Sequence, residues 1–193
     1  MRDFWGGYKI DFKIIRLADY DRYKDDSRSL RNHAQVLNDS GSPKFLIDIS
    51  KHEYCAGKEE RQLENFTIFT YSPIMVVCEK LRAICQQMPA FAKMVKSHPS
   101  ARARDFLDIV VIADHFKVDF KAAAFQDILA HVFQAKRVPL DLLGQIQNFR
   151  EYHRSDFTAV KDTVKAGFEL RDFDFYFDRV VRECNALEAP WHV

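Results

Sequence analysis

The sequence contains no G-x-G-x-x-G, no Walker loop, no G-x-S-x-G and no H-E-x-x-H. Their absence sets aside the glycine-cradled phosphate sites, the serine-hydrolase elbow and the helical zinc protease. Gly6-Gly7 is too short and too near the end to cradle a phosphate. The four cysteines, Cys55, Cys78, Cys85 and Cys184, make no C-x-x-C pair and fit no zinc spacing. They read as reduced thiols, and Cys78 and Cys85, seven residues apart, share a helix face as small core residues. No apolar run approaches the roughly 18 residues of a membrane helix, and Met1 to Gly7 lacks the apolar core of a signal peptide. A cytoplasmic protein is the expectation. Charge of one sign is missing as well: 29 Lys and Arg face 28 Asp and Glu, for a net charge of +1. Such a chain is not a general nucleic-acid or membrane binder by charge alone, although local clusters can still bind phosphate.

What is present suits a globular protein. A chain of 193 residues, 47% hydrophobic and with 17 Phe, can bury a sizeable core in one or two small domains. Tyr8 to Ile15 and Lys44 to Ser50 alternate polar and apolar residues and predict strands; Phe66 to Tyr71, rich in aromatic and β-branched residues, predicts a third. The polar stretch Asp19 to Ser42 between the first two is a helix or long loop, closed by a turn at Asn38 to Pro43. At Ser72 the pattern changes. Ser72 is a good N-cap, Pro73 suits the first helical position, and Ile74, Val77, Leu81, Ile84, Cys85 and Met88 recur at helical spacing. After a polar connection at Ser97 to Ser100, a second helix is predicted from about Ala101 to Phe116, apolar nearly all round. Further helices are predicted over Phe120 to Phe133, Leu140 to Tyr152, Phe157 to Phe168 and Phe173 to Leu187. Strands first and helices after is an α+β layout, divided here as a sheet region 1–71 and a helical region 72–193.

The chemistry concentrates in two segments, Glu79-Lys80-Leu81-Arg82-Ala83 and Arg102-Ala103-Arg104-Asp105-Phe106-Leu107-Asp108. Lys80 lies on the flank of its apolar stripe. There it is either a solvated boundary residue or a lysine whose buried stem aims an ammonium into a cleft. Asp105 and Asp108 are one turn apart on one side of their helix. They can bind Mg²⁺, hold a lysine or take a proton from a hydroxyl, or they can serve the helix dipole and pair with Arg102 and Arg104. With Arg82, these arginines and Lys80 form a dense basic patch suited to a phosphorylated ligand. Asp11 and Asp48 each stand in the middle of an apolar strand, as ligand-cleft carboxylates or as solvated outward residues. His52 reads as a surface residue, and His115, His131 and His153 as isolated core or surface side chains. The aromatics of Glu151 to Phe177, interleaved with Arg and Lys, can serve nucleic acid, but at helical spacing they read first as core.

Taken together, Tyr71 to Met88 and Arg102 to Ile109 resemble the AbiEii/AbiGii toxin family of nucleotidyltransferase-like proteins, with weaker similarity at Phe45 to Ser50, Lys136 to Leu140 and Asp172 to Phe177. The resemblance implies a small, partial N-terminal nucleotidyltransferase-like sheet followed by a helical C-terminal part. It implies a toxin of a bacterial toxin–antitoxin or phage-defence system that transfers a nucleotide from an NTP to an acceptor such as tRNA. Lys80 would contact the NTP phosphates. Asp105, with Asp108 beside it, would supply the motif acid, and Asp48, or less directly Asp11, the extra strand carboxylate for Mg²⁺. The implied partners are the NTP, an RNA acceptor and a cognate antitoxin.

One departure stands against this pattern. The family's opening motif, Gly-Ser followed by Asp-x-Asp, normally holds the Mg²⁺ that neutralises the triphosphate, and the sequence does not contain it. The expectation is an N-terminally truncated member that binds nucleotide weakly and catalyses little alone. The alternative is a non-catalytic interaction protein whose open sheet edge pairs with an antitoxin, with a second copy of itself or with a separate N-terminal half.

Overall fold

The computed structural model describes residues 6–36, 41–95 and 98–187. Met1 to Trp5, residues 38–40 of the expected turn and Ser97 of the expected connection lie outside them. The architecture is α+β, and the chain falls into two units that divide between His52 and Glu53.

In the first unit, β1 (Gly7–Phe12) pairs antiparallel with β2 (Phe45–Ser50), Gly7 opposite Ser50 and Phe12 opposite Phe45. Alternation puts Tyr8, Ile10, Phe12, Phe45, Ile47 and Ile49 on one face, and Lys9, Asp11 and Asp48 on the other. The Phe12 and Phe45 rings stack at 5.6 Å. The polar stretch between the strands holds two short helices, α1 (Leu17–Tyr23) and α2 (Ser27–Asn32). The Asp26 carboxylate caps α2 by accepting from the Arg28 and Ser29 backbone N–H groups.

The second unit opens with a hairpin, β3 (Lys58–Leu63) and β4 (Phe66–Tyr71), turned through Glu64 in the left-handed region at φ 52°. The strand β3 reads Lys-Glu-Glu-Arg-Gln-Leu and has no apolar alternation, so only its pairing with β4 reveals it.

The helices carry the core. α3 (Pro73–Gln86) begins where the sequence places it, with the Ser72 hydroxyl accepting from the Met75 N–H at 3.3 Å. Its stripe of Val77, Cys78, Leu81, Ile84 and Cys85 is fully buried. A short α4 (Pro89–Val95) follows. Next comes α5 (Ala103–Phe116), closed by Lys117 in the left-handed region at φ 54°. α3 packs on α5 and on α6 (Ala123–Ala135), and α5 packs on α9 (Phe173–Asn185), whose N-cap Asp172 accepts from the Phe175 N–H at 2.9 Å. Phe106 of α5 stacks on Phe177 at 5.0 Å and meets Phe173 edge-on at 5.6 Å. Of the aromatics singled out near the C-terminus, Phe157, Phe173 and Tyr176 are buried, while Phe168 and Phe175 are exposed.

Two predicted helices take other forms. Leu140–Phe149 is a 3₁₀ segment followed by a short α7 (Arg150–Arg154). At three residues per turn, Leu143, Ile146 and Phe149 share one face, and that face meets the core. The helix expected over Phe157 to Phe168 stops after α8 (Phe157–Lys161). Residues 162–167 continue as turns and a bend, and 168–172 have no regular structure; Gly167 lies at φ 86°, a conformation a helix does not admit.

Candidate functional site

The α3–α5 contact brings together residues that lie 25 and 28 positions apart in the sequence. Leu81 points into the core, so its neighbour Lys80 emerges at the edge of α3, facing α5. Asp105 and Asp108, one turn apart, present both carboxylates to it. The Lys80 ammonium donates to Asp105 Oδ1 at 2.9 Å and to Asp108 Oδ2 at 2.8 Å. Of the two readings of Lys80, solvated boundary or cleft lysine, the structure has the ammonium held by two carboxylates, with its side chain 23% exposed.

Burial alone would depress the Lys80 pKa. The hydrogen bonds and charges of Asp108 and Asp105 outweigh that, and the net direction is upward. Lys80 is therefore a fixed cation and not a proton acceptor.

Two arginines complete the network. Arg104 Nε donates to Asp108 Oδ1 at 2.8 Å, and its Nη1 donates to the Thr163 hydroxyl at 2.7 Å. Arg102 Nε lies 2.8 Å from Asp105 Oδ2. This pair is close but out of line, so both atoms are buried without a hydrogen-bond partner among the described residues. Three cations thus surround two carboxylates.

Behind the network sits His153, fully buried. Its Nδ1 accepts the backbone N–H of Arg102 at 3.1 Å, satisfying one of the unpaired donors at the start of α5. Its ring packs on Phe106 at 5.2 Å. Burial pushes its pKa down to about 4, with Asp105 opposing the shift and Arg102 adding to it. The imidazole is neutral at pH 7 and holds the N-terminus of α5 in place.

The other candidates lie elsewhere. Arg82, two residues beyond Lys80, projects from the opposite side of α3 and donates from Nε and Nη2 to Glu79 Oε2 at 2.8 and 2.5 Å. Glu79 is half-buried, like Arg82. Its pKa is raised by burial, against the pull of Arg82 and with the nearby Glu53 adding to the rise. Asp48 belongs to the first unit, exposed on β2 and 3.9 Å from Lys9, while Asp11 pairs with Lys44 at 3.0 Å. Among the described residues, no group of three or more His, Cys, Asp or Glu side chains is arranged to hold a metal ion. Sequence reasoning did not single out Thr163, because nothing in its neighbourhood announces a contact 59 residues away. It placed His153 only as a core or surface side chain.

The helical part of this α+β chain thus sets one lysine between two aspartates, with two arginines beside them. Residues 4–179 match the family model described as nucleotidyl transferase AbiEii toxin, type IV TA system, and the chain belongs to that family of nucleotidyltransferase-like toxins of type IV toxin–antitoxin systems. No curated protein and no solved structure matches it. Among the described residues no helix is long and apolar enough to cross a membrane.

Proposed function

We propose that this chain transfers a nucleotide from an NTP to the hydroxyl of an RNA acceptor such as tRNA, with the Lys80 network as its phosphate-handling site. The observation that carries this reading is the two-sided grip on Lys80 by Asp105 and Asp108 beside Arg102 and Arg104. With three cations against two carboxylates, the cluster has a net positive charge for a triphosphate to meet. The acceptor hydroxyl oxygen bonds to the α-phosphorus, the bond to the departing pyrophosphate breaks, and the hydroxyl proton passes to a carboxylate. Asp108 is the better placed base for that proton, since its side chain is 24% exposed against 11% for Asp105.

Mg²⁺ is the metal this family would use, but the donors described here do not compose a site for it. Both Asp105 and Asp108 already face cations on each carboxylate oxygen, and Asp48 offers a single exposed carboxylate on the first unit. The test is incubation with each labelled NTP and bulk tRNA, with and without Mg²⁺. Label entering RNA in the parent, and lost in Lys80→Ala and Asp108→Asn, supports the reading; transfer that persists in Lys80→Ala refutes it.

A second reading, an interaction protein that pairs with the antitoxin, with a second copy of itself or with a separate N-terminal half, is favoured by the β1–β2 sheet. Two strands alone are marginal in water, and Tyr8, Ile10, Ile47 and Ile49 are each more than 40% exposed on its apolar face. A concentration-independent monomer mass, unchanged by co-expressed antitoxin, would remove this reading.

A further inference from the structure

One recess adjoins the charged network without being used by it. It lies between α5 and the 162–172 segment and has a volume of about 250 Å³. Its apolar walls are Leu107 and Val111 from α5, and Val164 and Phe168 from the facing segment. Its polar end is Arg104 and Asp108, the same two side chains that join Lys80 and Thr163. Lys165 stands at its rim and makes no ion pair among the described residues.

We infer that this recess receives the base and part of the sugar of the NTP, so that the 162–172 segment sets nucleotide affinity and preference. The inference rests on the function proposed above and names a part of the same site. Three features select a nucleoside. The first is size: drug-sized ligands occupy pockets of roughly 300–1,000 Å³, and this smaller recess suits one flat ring and its sugar. The second is wall chemistry. Phe168 is 43% exposed and Val111 39% exposed, so the walls offer apolar surface for a flat ring to lie against. The third is continuity. Asp108 joins Lys80 to Arg104, and Arg104 reaches on to Thr163, so a base in the recess puts its phosphates toward Arg104 and, across Asp108, toward Lys80.

The segment's departure from helix is what makes the recess. Had the helix begun at Phe157 run on to Phe168, Phe168 would lie on its apolar stripe beside Val164, which packs against the core. Turns at Thr163 and Val164, and Gly167 at φ 86°, carry Phe168 back across α5 instead.

The test is equilibrium binding of ATP, GTP, CTP and UTP, and of the four nucleosides, to the parent chain and three variants. Phe168→Ala removes the exposed ring, and Val111→Trp fills the recess from a rigid helix; both positions are exposed, so a melting curve suffices to show that the fold is kept. Lys80→Ala removes the phosphate contact. Loss of one stacking face should weaken binding roughly 5- to 100-fold. The expected pattern is that Phe168→Ala and Val111→Trp weaken both NTP and nucleoside, while Lys80→Ala weakens NTP alone. NTP binding that needs Lys80 but is indifferent to Phe168→Ala and Val111→Trp overturns this inference and leaves the proposed function standing. The same indifference with a raised KM for RNA gives the recess to the acceptor and also overturns it. No binding of any NTP at millimolar concentration by the parent chain defeats both.

Discussion

Arg104 donates to the Thr163 hydroxyl at 2.7 Å while its Nε holds Asp108 at 2.8 Å, so one guanidinium ties the 162–172 segment to the charged network of α3 and α5. The Thr163 hydroxyl in turn donates to the Val160 carbonyl at 2.8 Å, which anchors the segment to the end of α8. Thr163→Val keeps the shape and removes both bonds. The Arg104 bond is exposed and the Val160 bond half-buried, so the expected effect is local: loss of about 0.5–1.5 kcal/mol, read as faster amide hydrogen exchange over residues 162–168 with α3 and α5 unchanged. Exchange that stays at the parent rate would show that the segment is held by Val164 packing alone.

Lys80 is both a candidate ligand contact and a clamp between helices. A solvated boundary lysine, one of the two readings the sequence allows, would tolerate Lys80→Ala with the fold intact. The structure changes that expectation, because two partly buried carboxylates lose a partner. Lys80→Ala should cost about 1–3 kcal/mol, and a double-mutant cycle of Lys80→Met with Asp105→Asn should show positive coupling. Urea melts of the four proteins measure it; additive effects would mean that the pair contributes nothing to stability.

His153 makes a prediction about acid. Its pKa falls from 6.5 in the unfolded chain to about 4 when folded, so the unfolded state binds the proton more readily between those values. Stability from this group is complete above pH 6.5 and is lost as pH falls toward 4, by about 3 kcal/mol in all. His153→Asn keeps an acceptor for the Arg102 N–H and removes the titration. Its stability should therefore fall less steeply between pH 6.5 and 4 than the parent's. Parallel slopes in urea titrations across that range would contradict the assignment.

The four cysteines should separate by reactivity. Cys55 is exposed, whereas Cys78, Cys85 and Cys184 are buried. Burial raises all three buried thiols, that of Cys184 to about 12, with Glu183 adding to the rise. A thiol reagent at pH 8 should modify one cysteine in the native protein and four in denaturant, with peptide mapping placing the single adduct on Cys55.

Much of the fold is legible in the sequence where a local pattern forces it. The alternation of Tyr8 to Phe12 and of Phe45 to Ile49 determines which face of β1–β2 is apolar, and Ser72-Pro73 determines where α3 starts, because cap chemistry and pleat period act within a few residues. The spacing of Asp105 and Asp108 places two carboxylates on one side of α5 for the same reason, and the paired motifs carry enough to indicate the family. The tertiary structure alone decided the rest. β3 has a charged sequence and becomes a strand only against β4. Residues 162–168 have helical spacing, yet Gly167 and the reach of Arg104 to Thr163 hold them as the wall of a recess. Lys80 and Arg82 look alike in the sequence, but packing of α3 on α5 gives Lys80 two aspartates and leaves Arg82 to Glu79. A local pattern orients a side chain on its own element; which charges meet across 25 residues is settled only when two helices bury their apolar stripes against each other.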